Sequence, residues 1–245
     1  MGIEKTPRNI FTKWRFVALT ASSYPLLRKS RLFPPVLAAR EYLKSFKRND
    51  FSQFGENEVI DGLIPPKGVY LDIGSGRPVS GSNTFRLYKQ GWHGVLADPI
   101  RANIVSSRLL RKRDLVFQCV VGTDSTNIFY ELFPYEYSTL SQETAESLIK
   151  NGSASLIQQY PIRGILASTL FKKLPTKTFS FMNIDTEGFD YHVLTSLNLE
   201  ENRPNLICIE EWSWSSSEKT EIQLLLEQHG YSFITRAGVS NFYSR

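Results

Sequence analysis

Val69-Tyr70-Leu71-Asp72-Ile73-Gly74-Ser75-Gly76 is the stretch that decides the fold. Five residues of strand character run straight into two glycines, so the chain must turn sharply at the carboxyl end of a buried strand, where open α/β sheets bind ligands. Glycine permits that turn and a close backbone approach. The Asp72 carboxylate is placed to hold a cationic ligand end, directly or through water, while Gly74, Ser75 and Gly76 leave room for the ligand's body. Such a loop serves nicotinamide cofactors, phosphates and S-adenosylmethionine alike. Three positions after Gly76 stands Val79, so the G-x-G-x-x-G pyrophosphate fingerprint is not met, which favours S-adenosylmethionine.

Outward from this loop, β-rich runs at 94–98, 115–121, 179–185, 206–210, 231–235 and 239–243 alternate with helical spacing near 82–90, 101–111, 188–198 and 218–229. That alternation predicts an α/β fold with crossover helices. Arg236-Ala237-Gly238 is a tight link, so the last two strands should form an antiparallel hairpin at one edge. The expected architecture is the Rossmann-like class I methyltransferase fold, a mainly parallel seven-stranded sheet with an antiparallel edge strand. Residues 123–170 interrupt the alternation and should form an insertion or lid over the site. The expected organisation is a basic, aromatic-containing extension over 1–50 and one domain over 51–245.

The second strand ends on Asp98, 22 positions after Gly76. A carboxylate there can accept hydrogen bonds from both ribose hydroxyls, or cap the helix that follows Pro99-Ile100. Val121, closing the third strand, falls where an adenine would lie. The fourth strand runs into Asp185-Thr186-Glu187-Gly188-Phe189-Asp190 on the same sheet edge. A neutral hydroxyl is a poor nucleophile until a base or a metal draws off its proton. Asp185 or Glu187 could be that base, could ligate Mg²⁺, or could simply favour the amino end of the next helix. His192 in that helix is a further candidate base, or a surface histidine. After the fifth strand, Trp212 and Trp214 could stack on a flat acceptor, with Glu210 and Glu211 on its hydroxyls, or tuck under the lid. Tyr130, Tyr135, Tyr137 and Ser138-Thr139-Leu140-Ser141 add possible acceptor contacts.

The chain has 245 residues and a net charge of +5, but its first 50 residues carry 11 Lys/Arg against 3 Asp/Glu. The remainder carries 18 against 21. No run of apolar residues is long enough to span a bilayer. The leader interleaves Phe11, Trp14, Phe16, Val17 and Leu19 with Lys13 and Arg15, a mixture that suits either packing on the domain or a membrane interface. The expectation is a cytoplasmic protein, and peripheral contact at the inner membrane face through residues 1–50 is one of the two readings of the leader, beside packing on the domain or a second subunit. Met1-Gly2-Ile3-Glu4-Lys5-Thr6 matches only a loose myristoylation pattern. Cys119 and Cys208 sit in apolar strand runs and read as packing. No sequence-specific nucleic-acid footprint is present, and the oligomeric state is not legible.

Taken together, Ser52-Gln53-Phe54-Gly55-Glu56-Asn57-Glu58, the Asp72 loop with Gly81-Ser82-Asn83-Thr84, Gly91–Pro99, Ile184–Asp190 and Ile207–Glu210 resemble the FkbM-type S-adenosylmethionine-dependent methyltransferases. The resemblance spans 51–245. It implies O-methylation of a hydroxyl on a sugar, glycolipid, polysaccharide or secondary metabolite. It also implies that Asp72, Gly74, Gly76 and Asp98 contact the cofactor, that Ser82 and Asn83 support its pocket, and that Asp185 and Glu187 are the acidic pair. Asn57 stands where the family often has Asp, and Thr186 where Val is usual. Two other readings stand beside it: a nicotinamide-dependent oxidoreductase, and a silent binding module presenting the leader to a membrane or acidic polymer. Val79 and the acidic pair weigh against them.

Overall fold

The computed structural model describes residues 29–245 apart from 31, 48, 174–179, 213, 214 and 216. Trp214 and the aromatic residues of the first 28 positions therefore lie outside the described residues.

Helix α1, Phe33–Ser45, starts on prolines in its first turn, where a missing N–H costs nothing. Helix α2, Glu56–Leu63, leads into strand β1, Val69–Ile73. Then follow α3 (Phe85–Lys89), β2 (His93–Asp98), α4 (Arg101–Leu110), β3 (Leu115–Gln118) and the short β4 (Val120–Val121). The insertion contains β5 (Thr126–Phe133), a 3₁₀ turn at Tyr135–Tyr137, α5 (Gln142–Lys150) and β6 (Ser155–Ile165). The remaining elements are α6 (Ala167–Phe171), β7 (Phe181–Ile184), α7 (Asp190–Thr195), β8 (Leu206–Glu210), α8 (Glu221–Gln228), β9 (Ser232–Ala237) and β10 (Ser240–Ser244).

Seven strands form one sheet in the order β3-β2-β1-β7-β8-β10-β9. All neighbours are parallel except β10, which runs antiparallel to both β8 and β9. The strand order reverses at β1, beside β7, and this switch point opens the crevice used by α/β sheets for ligands. Period-two alternation places Leu71, Ile73, Val95, Met182, Ile184 and Ile209 in one core layer with Val193, Leu194 and Leu197. Tyr70, Leu96, Phe181, Cys208 and Phe242 face the other layer, with Ile60, Leu87 and Trp92. Both cysteines are buried and free.

The run expected as one strand over 115–121 is split. At Cys119 the chain leaves the main sheet, and Val120–Val121 joins a three-stranded sheet ordered β4-β6-β5. Pro161 is tolerated in β6 because β4 covers only Gly164 and Ile165, leaving an open edge at the proline. Helix α1, inside the stretch expected as an extension, packs against α4. Phe33 and Leu37 share a cluster with Ile100, Ala102, Val120, Phe129 and Ile162. Buried Glu41 fastens the helix further: it accepts from the Ser80 amide at 2.8 Å, the Ser80 hydroxyl at 2.7 Å and the Lys44 ammonium at 2.7 Å.

Candidate functional site

The turn after β1 is held by its own backbone. The amides of Gly74 and Ser75 donate to the Ala97 carbonyl at 2.9 and 3.1 Å, and the Gly76 amide donates to Asp98 Oδ2 at 2.9 Å. Gly74 has φ +74° and lies against β7 so closely that a Cβ there would fall 1.6 Å from the Asp185 carbonyl oxygen. The glycine therefore lets the β1 and β7 ends converge on one cavity of about 560 Å³.

Gly74, Gly76, Asp98, Val121, Asp185 and Glu187 all line this cavity. Its apolar middle is formed by Ile100, Val120, Val121 and Phe129, and the insertion supplies Tyr135 and Ser138–Ser141 over it. Asp98 is buried, and its Oδ1 accepts from the Ile100 amide at 2.7 Å and from Asn103 at 3.2 Å. Loss of water pushes its pKa up to about 7, against the pull of these bonds. Asp185 is raised well above the usual carboxylate range by burial and by Glu210 and Glu187. Glu187 is pushed up to about 8 by the protein crowding its carboxyl and by Glu210, although the residue reaches solvent at the mouth. It takes a left-handed φ of 54°, which is uncommon for a residue with a side chain. Asp190 holds that turn: it accepts from the Thr186 amide at 2.8 Å, the Thr186 hydroxyl at 3.1 Å and the Gly188 amide at 3.1 Å.

Other expected residues lie elsewhere. Alternation turns Asp72 away from the cavity, onto the face shared with Tyr70. Its carboxylate is 1% exposed, accepting from the Thr84 hydroxyl and, at 3.0 Å, from Asn183. Ser75 is buried with its hydroxyl unpartnered. Ser82 accepts from the Phe85 amide at 3.1 Å, and Asn83 donates to Asn183 at 2.9 Å, so both brace the loop from behind. His192 is exposed and stacks on Phe189 with ring centroids 4.4 Å apart, off the cavity wall. Glu210 is buried with Oε2 unpartnered, and burial with Asp190 pushes it up to about 7. Trp212 is 68% exposed and Tyr137 43% exposed, neither on the wall. Glu211 is structural: it accepts from Asn241 at 2.8 Å and Tyr243 at 2.7 Å and anchors the last hairpin.

Sequence reasoning missed a buried network behind the loop. Arg111 donates to Asp114 at 2.7 Å, to Tyr70 at 2.8 Å and to Thr84 at 2.9 Å, and Thr84 in turn donates to Asp72. Arg111-Lys112-Arg113 looks like a solvated basic run, and nothing local marks its first member as buried. Arg77, the residue directly after the quoted loop, also lines the cavity. Among the described residues no three His, Cys, Asp or Glu side chains gather as a metal-ligand set.

A sheet of this order, with a glycine turn after β1 and acids after β2 and β7 on one cavity, has the layout of the class I methyltransferase fold. The chain belongs to the FkbM methyltransferase family: the model of the methyltransferase FkbM domain matches residues 72–233, more than half of its length. No functionally curated protein matches it. Solved structures resemble it remotely. The TehB-like SAM-dependent methyltransferase of Corynebacterium glutamicum aligns at 12% identity and a TM-score of 0.45, covering 88% of this chain and 100% of that one. Magnesium protoporphyrin IX methyltransferase of Synechocystis aligns at 12% identity and a TM-score of 0.39, covering 77% and 76%. The 1,6-didemethyltoxoflavin-N1-methyltransferase of Burkholderia thailandensis aligns at 12% identity and a TM-score of 0.37, covering 98% and 91%. Likeness at this level has no bearing on acceptor or reaction.

Proposed function

We propose that this methyltransferase uses S-adenosylmethionine to methylate a hydroxyl of a sugar, glycolipid, polysaccharide or secondary metabolite. The observation behind this reading is the pair Asp185 and Glu187, two carboxyls of raised proton affinity on the wall of the cavity that the Gly74 turn opens. The residues suit the cofactor: Asp98 stands for the ribose hydroxyls, and Ile100, Val120 and Val121 offer an apolar slot for a purine. When bound, the cofactor would supply an electrophilic methyl group on a sulfonium sulfur, with the neutral thioether as leaving group. Asp185 or Glu187 takes the proton that the acceptor hydroxyl gives up. Glu187, pushed up to about 8, can in its ionised form take that proton and return it to water between turnovers. Mg²⁺ activation is the alternative, for which the described residues offer these two carboxylates and no third ligand. Ser138, Thr139 and Ser141 line the same space, their hydroxyls accepting from backbone amides of the insertion, and make a polar roof that suits a hydroxylated acceptor.

Binding separates this reading from its rivals. S-adenosylmethionine and S-adenosylhomocysteine should raise the melting temperature while NADH does not. A response to NADH alone would overturn the cofactor. Labelled methyl transfer into glycolipid, polysaccharide and small-molecule fractions then finds the acceptor, and label retained on nitrogen or carbon would overturn O-methylation.

The place of action we propose is an anionic membrane surface, reached through the outward face of α1. Leu32, Val36, Leu43 and Phe46 are exposed there beside Arg40 and Lys47. No described helix is long and apolar enough to cross a membrane.

A further inference from the structure

The cavity has a charge pattern that the acidic pair alone does not explain. Arg77 stands one residue beyond Gly76, half-buried on the wall, with its guanidinium carbon 4.7 Å from the centroid of the Tyr135 ring. Among the described residues it forms no ion pair, although Asp98, Asp185 and Glu187 line the same space. The neighbouring cation, Lys44, is already engaged by Glu41 at 2.7 Å. Burial pushes the Tyr135 hydroxyl's pKa up; Arg77 pulls it back toward ionisation, and Glu136, Asp185 and Glu187 oppose that pull. The wall therefore offers an uncommitted cation at the glycine turn and carboxyls at the β7 end. Asp72, the acid that the sequence offers for a cationic ligand end, is sealed behind the loop with both oxygens bonded inward.

We propose that Arg77 receives the α-carboxylate of the cofactor's amino-acid end, while the matching ammonium faces Asp185 at the end of β7. The assignment rests on the S-adenosylmethionine reading. A planar guanidinium can grip a carboxylate through two parallel N–H donors, and its flat face on Tyr135 fixes the plane in which those donors lie. The same contact ties the β1 loop to the insertion, so a bound carboxylate would steady the roof of the cavity.

The test compares S-adenosylhomocysteine with 5′-methylthioadenosine, which keeps the nucleoside and lacks the amino acid, by calorimetric titration of the full chain. In Arg77→Met, whose thioether still packs on Tyr135, S-adenosylhomocysteine should bind about 10- to 100-fold more weakly, the range of lost charge-assisted hydrogen bonds. The affinity for 5′-methylthioadenosine should stay within about 3-fold, and Arg77→Lys should recover part of the loss. Unchanged S-adenosylhomocysteine binding in Arg77→Met would overturn the assignment. Equal weakening of both ligands would also overturn it, showing that Arg77 only props the roof. If the wild-type protein bound neither ligand, the cofactor reading would fall and this assignment with it. Wild-type binding with no difference between variants would remove the Arg77 assignment alone.

Discussion

At the scale of single residues, Gly74 and Gly188 separate two reasons for a glycine. Both have positive φ, but a Cβ at Gly74 would meet the Asp185 carbonyl at 1.6 Å, whereas one at Gly188 meets nothing within 4 Å. Gly188→Ala should cost about 1–2 kcal/mol from the left-handed backbone alone. Gly74→Ala must add a push on β7 itself, about 1–3 kcal/mol more, and should lose cofactor binding as well. Urea denaturation of the two variants checks this, and equal midpoints would show that β1 and β7 do not depend on that approach. Glu187→Gln keeps the shape of the turn and removes the base, so kcat should fall about 100-fold or more while S-adenosylhomocysteine binds almost normally. A kcat within a few-fold of wild type would transfer the role to Asp185. The motif made both acids legible, since two carboxylates beyond a buried strand are a chemical signal. It did not reveal Asp190, whose work is to bend the Thr186–Gly188 backbone; an acid that holds its own turn looks the same in sequence as one that holds a substrate.

Elements were legible where periodicity and burial agree. β1, β7 and β8 are buried along their whole length and β2 along all but its first residue, and the glycine directly after β1 marks where that strand ends. The insertion was not legible as strands because β6 carries Gln158, Gln159, Pro161 and Arg163 and is covered on one side over most of its length. Asp72 shows the limit from the other direction. Strand alternation alone places it with Tyr70, yet Arg111, which reaches it through Thr84, comes from the end of α4, 39 residues away in sequence, and only the fold brings them together. That network makes the ends of three elements one unit: Tyr70 of β1, Asp114 before β3 and Thr84 before α3 all meet Arg111. Arg111→Met would leave Asp114 and Asp72 buried without their cation, and should cost about 3–5 kcal/mol. Chemical denaturation measures it. A loss below 1 kcal/mol would mean that the hydroxyls of Tyr70 and Thr84 suffice to hold both acids.

For the whole molecule, two charge distributions make opposite demands. Inside, Asp98 and Glu210 titrate near 7 when folded, against ordinary values of 3.8 and 4.5. With Glu187 held up to about 8 as well, the folded protein binds more protons than the unfolded chain across this range, so stability of the ligand-free protein falls as pH rises from about 4.5 to about 8. Glu41 works in the reverse sense: its pKa is lowered, burial opposing the bonds from Lys44 and Ser80 that prevail, so its contribution is lost in acid. Melting temperatures should therefore peak near pH 5 in the absence of ligand, and a curve rising steadily to pH 8 would contradict the site electrostatics. Outside, α1 has two apolar faces on a single helix. Its inner face is satisfied by α4 and the insertion, but Leu32, Val36, Leu43 and Phe46 remain 71, 55, 61 and 71% exposed. From 28 to 49 the only acid is Glu41, and it is bound inward, so the outer face meets its surroundings with cations alone. Each Lys or Arg near an anionic bilayer is worth about 1 kcal/mol, and buried apolar side chains add to that. The end of α1 adjoins the cavity, because Lys44 donates at 2.9 Å to Ser80, next to the cavity-lining Gly81. A hydroxylated headgroup would then be presented close to Asp185 and Glu187. Sedimentation with phosphatidylglycerol-containing vesicles should carry the protein down at low salt and release it at high salt, while phosphatidylcholine vesicles should not. Leu43→Glu with Phe46→Glu should abolish that binding and leave S-adenosylhomocysteine affinity intact. A wild-type protein that ignores anionic vesicles, yet turns from dimer to monomer on the same substitutions, would mean that a second copy of the chain covers this face.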